Sequence, residues 1–336
     1  MENLNRLYEE CKKKLNSDTL KSLHYLNNTT SNEHKCIAIR MDIQLGYIYR
    51  YDEKWLQQKL DIFLKIENIK NENFNGLLGE IRTYGELLEL KTSVQMVSSI
   101  GTPSSGSDFI VLLNNEKINI EVNTPQKTGS KTTTIEISKS ITELINHTMG
   151  LAVSSNAPYG YPAREKDNIQ YEAVSKFSKI KSEKEGKQFK KDEISILWLD
   201  LNDPIIFMFN QLEYTTPISS FNGAISSGFI WNAFYSLKGD NIYSNYNTFS
   251  KDLIKMEFDG RFNDSYIDFV VMDFFTHKVI FENHNSKKKI PSDLYKVFFH
   301  LHNLNNQNSY LSFGNQSNLK HKINLEREMS NTIIDL

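Results

Sequence analysis

The chain has 336 residues, and its 39 basic and 41 acidic side chains leave a formal charge of −2, which excludes a protein that coats nucleic acid through an overall positive charge. Apolar residues make up 39% and aromatics 12%, enough for a sizeable core, so global disorder is excluded as well. Two cysteines in no metal-binding or redox spacing, a polar amino end and apolar runs of at most about six residues, such as Ile194 to Leu199, predict a reduced cytoplasmic protein without signal peptide or membrane span.

In chain order, Leu4 to Leu26 mixes Leu and Tyr with polar residues at loose helical spacing and predicts one or two surface helices, closed by the polar loop Asn27 to Asn32. From Glu53, the residues Trp55, Leu56, Leu60, Phe63, Leu64 and Ile66 recur at three and four and predict a helix with one apolar stripe. A second helix is expected from Asn73 to about Leu90, burying Leu77, Leu78, Ile81, Tyr84, Leu87 and Leu88. Glu86 and Glu89 fall off the direction of Glu80 on this helix and are expected in solvent. Two helices are thus expected directly before the first strand.

The period then changes. Val94 to Val97 predicts a strand, Gly101 to Gly106 a loop, and Asp108 to Leu113 and Lys117 to Asn123 two strands around Asn114-Asn115. Thr124 to Tyr161 is Thr-, Ser- and Gly-rich at both ends, with a helix expected over Ile137 to Met149. A Lys/Glu-rich helix follows, roughly Asn168 to Phe189, and Glu193 to Leu201 reads as a buried strand. Phe221 to Leu237 predicts a helix, Tyr266 to Phe275 a strand paired with Lys278 to Glu282, and Asn303 to Ser317 a solvated loop or tail. The fold class implied is α/β, a mixed central sheet flanked by helices. Its expected parts are an amino-terminal helical region 1–72, an α/β core 73–285 and a carboxyl-terminal extension 286–336.

If Asn114-Asn115 is a two-residue turn, Phe109 faces Ile120, Val111 faces Ile118, and Asp108 faces Glu121. Parity puts Phe109, Val111, Leu113, Ile118, Ile120 and Val122 on one face, and Asp108, Lys117, Asn119, Glu121 and Asn123 on the other with Ile110 and Leu112. A four-residue loop keeps this parity, whereas a three-residue loop reverses one strand. Two carboxylates directly opposite each other cost a few tenths to about 1 kcal/mol, more if desolvated, and ask for a cation. Oxygen donors in this number suit Mg²⁺ or Mn²⁺ better than zinc.

Gly79-Glu80 on a helix, Gly106-Ser107-Asp108 opening a strand and Ile120-Glu121-Val122-Asn123 closing the next strand resemble the PD-(D/E)XK phosphodiesterase superfamily, over roughly Phe74 to Leu201. The resemblance implies a restriction endonuclease-like core. It also implies Glu80, Asp108 and Glu121 as ligands of Mg²⁺ or Mn²⁺, with the Val122 carbonyl as a further ligand. Ser107 stands where that family usually has Pro, and Asn123 where it usually has Lys. Asn carries no positive charge, but its amide can orient a water. Lys127 and Lys131 downstream, or Lys117 on the same ribbon face, are the candidate substitutes. The catalytic set expected is therefore Asp108, Glu121, Asn123 and Lys127. Gln170 and Gln188 are expected to face substrate, by the same resemblance.

Other features have plainer readings. Lys176, Lys179, Lys181, Lys184, Lys187, Lys190 and Lys191 read either as phosphate contacts or, preferably, as a wet helix face, and Lys287-Lys288-Lys289 as a loop that could touch phosphates. Trp55, Trp198 and Trp231 are expected in the core, and the scattered histidines are not expected to be ligands. The resemblance implies a metal-dependent nuclease, acting on double-stranded DNA in restriction or phage defence, with a homodimer or a defence-system protein as partner. The competing readings are a catalytically silent nucleic-acid- or protein-binding module, and an unrelated α/β protein whose acids face water.

Overall fold

The computed structural model describes residues 1–13, 32–64, 71–90, 95–98, 106–113, 115–125, 169–182, 186–201, 218–221, 224–242, 254–274 and 278–304. Among these, four helices come first: α1 (Glu2–Lys12), α2 (Asn32–Tyr51), α3 (Glu53–Phe63) and α4 (Asn71–Glu89). They lead into β1 (Gln95–Ser98), β2 (Phe109–Leu113), β3 (Glu116–Asn123), α5 (Ile169–Lys179) and β4 (Ile194–Asp200). The remainder carries β5 (Ile218–Phe221), β6 (Ala224–Ser227), α6 (Phe229–Tyr235), β7 (Asn241–Ile242), β8 (Ile254–Lys255), β9 (Phe269–Asp273), β10 (Lys278–Glu282) and α7 (Ser292–Leu304).

The class is α/β. Six strands form one mixed sheet in the order β1-β2-β3-β4-β9-β10, antiparallel at both edges and parallel through β3, β4 and β9. β5 with β6, and β7 with β8, make two small antiparallel ribbons. The β2–β3 hairpin has the predicted two-residue register, with Phe109 opposite Ile120 and Leu113 opposite Glu116. Asn115 takes φ 68° in the turn, a conformation that Asn tolerates better than most residues.

Alternation sorts the core into two clusters. On one face Phe109, Val111, Leu113, Ile118, Ile120, Val122, Ile196, Trp198 and Val271 meet the buried residues of α1 to α4 and α7. On the other, Leu197, Leu199, Val270, Met272 and Phe281 meet Val174 and Phe177 of α5 and Ile230, Trp231 and Phe234 of α6. Trp55, Trp198 and Trp231 are buried, as the sequence implied. α3 begins at Asp52, whose side chain accepts from the Trp55 N–H at 3.2 Å and from the Tyr84 hydroxyl at 2.6 Å, so a helix cap also ties α3 to α4. Trp55, Tyr84 and Phe109 then pack ring on ring and fix both helices against β2.

Several expectations need correction. A 20-residue helix, α2, lies over Asn32–Tyr51, where no element was predicted. It buries Ala38, Met41, Leu45 and Ile48 at three- and four-residue steps. The lysine-rich helix stops at Lys179, ten residues early, and the chain turns at Lys181, which has φ 56°. Phe221 to Leu237 is not one helix: β6 precedes the short α6.

Glu86 is not in solvent. It lies within a buried ion network at the carboxyl ends of the parallel strands. There Arg40 meets Glu86 at 3.1 Å and Asp273 at 3.0 Å, while Lys278 meets Glu86 at 2.7 Å and Asp273 at 2.9 Å. The expected helix over 137–149 and the tail over 305–317 lie outside the described residues. No helix among the described residues is long and apolar enough to cross a membrane.

Candidate active site

Glu121 lies on β3 beside Leu197 of β4, and its side chain is 1% exposed. Two donors reach one of its oxygens: Lys181 Nζ at 2.5 Å and Gln188 Nε2 at 2.6 Å. Asp108 lies one residue before β2, just past the last hairpin pair, Phe109 with Ile120. Its Oδ2 accepts from the Val122 N–H at 2.9 Å, which pins the carboxylate to the end of β3. Asn123 closes β3 on the same face as Glu121 by strand parity, in register with Leu199.

Glu80 is brought in by α4. At Gly79 that helix presses on the ends of β3 and β4 so closely that a Cβ there would fall 2.0 Å from Thr124 Oγ1 and 2.9 Å from Asp200 Oδ2. Asp200, fully buried, is held by Arg82 from the next turn of the helix. A glycine and a buried ion pair therefore set the helix height and rotation at the residue next to Glu80. Glu80 itself meets Lys59 Nζ of α3 at 2.5 Å. Burial, and then the Asp108 charge, push its carboxyl above the ordinary glutamate range, against the opposing pull of Lys59 and Lys181.

The charged form of Glu80 is accordingly disfavoured by folding. A carboxyl raised in the folded state contributes stability that is present at low pH and lost as pH rises through its folded pKa. Glu80→Gln, which mimics the protonated group at every pH, should keep or raise the melting temperature at neutral pH. That advantage should vanish below the ordinary glutamate range, which calorimetric scans across pH would show.

Glu80, Asp108 and Glu121 thus belong to one electrostatic cluster, in which Glu80 feels both Asp108 and Lys181 and Lys181 contacts Glu121. Among the described residues no three His, Cys, Asp or Glu side chains are grouped as a metal cage. Instead, Glu80 and Glu121 each meet a lysine. No protein-family model, curated protein or solved structure matches the chain. What the site can do must come from its own residues and their geometry.

The other expected residues divide. Gln188 meets Glu121, although from a turn and not from a helix. Lys117 turns to Glu193 at 3.3 Å, four residues and roughly 13 Å of strand from Glu121, and is no substitute for a motif lysine. Lys288 is not a free phosphate contact: its ammonium donates to the carbonyls of Lys190, Glu193 and Tyr266 and to Asp268. Lys190 pairs with Glu193, and Lys179 bonds Ser175. Lys127 and Lys131 lie outside the described residues, as does the side chain of Gln170. Sequence reasoning missed Lys59, and it weighed Lys181 only within a lysine series for which a wet helix face was preferred. Lys59 carried a weak signal, since it lies one turn after Trp55 on the apolar-striped helix predicted just before the one bearing Glu80.

Proposed function

We propose that the protein is a metal-dependent phosphodiesterase, a nuclease acting on double-stranded DNA, built on a restriction endonuclease-like core. The observation that supports this reading is a chain of charges near the carboxyl end of β3, where open α/β sheets place their sites: Glu80 feels Asp108 and Lys181, and Lys181 contacts Glu121. Carboxylate oxygens with a backbone carbonyl are the donor chemistry of a hard divalent ion, and two ammonium groups on the acids mark the demand for positive charge there. Glu80, Asp108, Glu121 and the Val122 carbonyl would hold Mg²⁺ or Mn²⁺. When bound, the ion would lower the pKa of the attacking water and offset charge growing on the nonbridging phosphate oxygens.

The chain's own groups have separate tasks. The Asn123 amide orients the water by hydrogen bonding. The Val122 N–H keeps Asp108 in place beside Glu121. Arg82 and Asp200 hold α4 so that Glu80 stays at the cluster. Water oxygen adds to phosphorus and gives one proton to solvent, the phosphorus–oxygen ester bond breaks, and the departing oxygen takes one proton from solvent and leaves as a hydroxyl. The chain's near-neutral charge favours substrate contact through a local patch over wide coating. The second reading, a binding module without catalysis, is favoured by Asn123 in the position of a lysine. Incubating the protein with plasmid and with RNA in Mg²⁺, Mn²⁺ or chelator separates the two. Metal-dependent DNA cleavage that chelator stops is the expected result, and binding without cleavage, indifferent to chelator, would leave only the module.

A further inference from the structure

Three carboxylates, Glu80, Asp108 and Glu121, stand against two ammonium groups, Lys59 and Lys181, so the cluster keeps one formal negative charge. Both donors to Glu121 come from one short segment between α5 and β4. Its described residues at 180 and 186–189 are held in place. Arg261 Nε donates to the Ile180 carbonyl at 3.3 Å, the Gly186 N–H donates to the Phe189 carbonyl at 3.0 Å, and Phe189 is buried in the core under α5 and α6. Lys181, like Gly186, has a positive φ, 56°, but a lysine, unlike a glycine, adopts it only at a cost. Strain of this kind persists where the surroundings fix the residue.

A carboxylate oxygen 2.5 Å from an ammonium nitrogen cannot also receive a divalent ion at about 2.0–2.2 Å without setting two cations against each other. Gln188 is neutral and has no such conflict. We infer that Lys181 is an exchangeable counter-ion: it neutralises Glu121 until a divalent ion takes that carboxylate, and then moves to the phosphate being cleaved, supplying the positive charge that Asn123 lacks. This assignment rests on the phosphodiesterase reading. Anchoring on either side keeps Lys181 within reach of the acids after it is displaced. The substrate phosphate is the anion then delivered to a side chain that is only 15% exposed, and a held cation there acts on developing charge more strongly than in water.

The test measures ion binding apart from turnover. Free Mn²⁺ is followed by electron paramagnetic resonance as it is titrated into the full-length wild type, Lys181→Met, Lys181→Gly and Glu121→Gln. Glycine accepts the positive φ without penalty, so agreement between the two Lys181 variants separates loss of charge from backbone disturbance. Both should bind Mn²⁺ roughly tenfold tighter than wild type or better, since a competing cation has gone. Both should cleave plasmid roughly 100-fold more slowly or worse. Unchanged or weaker Mn²⁺ binding in both overturns the exchange, and tighter binding with undiminished cleavage overturns the catalytic half. If no Mn²⁺ binding depends on Glu121, the metal site itself is wrong, an outcome distinct from a wild type that binds through Glu121 and gains nothing from loss of Lys181.

Discussion

Glu121→Gln should reduce metal-dependent cleavage by roughly three orders of magnitude, the several kcal/mol that a bound divalent ion contributes to such a transition state. The side chain is almost wholly enclosed and receives both Lys181 and Gln188. The amide preserves its size and one acceptor oxygen, so the fold should persist, as far-ultraviolet dichroism would show. Glu116 is the matched control, because it lies on the same strand, exposed, at the turn end opposite Leu113. Glu116→Gln should leave cleavage unchanged. Equal rates in the two variants would remove Glu121 from the chemistry.

Lys278→Met should destabilise the protein by about 3–5 kcal/mol, the cost of leaving buried carboxylates with half of their cationic partners. Lys278 faces Asp273 across the β9–β10 pair, bridges to Glu86 of α4, and lies 5.9 Å from the centre of the Trp198 ring. Removing it leaves Glu86 and Asp273 to share Arg40. A loss of that size is a large part of a domain's total stability and would appear as a lowered urea midpoint at unchanged slope.

The pH dependence has a definite sign. Burial alone would raise the Asp273 carboxyl, but the charges of Arg40 and Lys278 and the hydrogen bonds from both hold it below the ordinary aspartate range. A depressed carboxyl contributes stability that is present above its unfolded pKa and lost as pH falls through the folded one. The gap between wild type and Lys278→Met should therefore narrow as pH drops below about 4.

How much of this was legible in the sequence depended on whether one signal dominated locally. The hairpin register could be read because an Asn-Asn turn and strict alternation agree, and the pairs run as expected from Leu113 with Glu116 to Phe109 with Ile120. α2 was hidden by a conflict. Ile37, Ile39, Met41, Ile43, Leu45 and Tyr47 recur at every second residue, yet the helix buries Ala38, Met41, Leu45 and Ile48 and leaves Ile39 and Ile43 exposed. Tertiary packing of α2 against α4 overrode the period, helped by the close approach of Gly85 to Gln44.

Glu86 does point away from Glu80, as the helical angle requires. That direction is covered by α2 and the end of β9, which a single helix cannot announce. Lys181 was one of seven lysines between 176 and 191, and what distinguishes it is a turn that no local pattern marked.

α4 is gripped on several sides: Gly79 against Thr124 and Asp200, Arg82 to Asp200, and Glu86 to Arg40 and Lys278. Such a helix cannot slide or roll by small steps, so descendants of this chain would have little freedom to retune Glu80 by drifting its scaffold. Divergence in ion preference or substrate reach would instead accumulate in the parts that touch the acids from outside, the helix bearing Lys59 and the turn bearing Lys181.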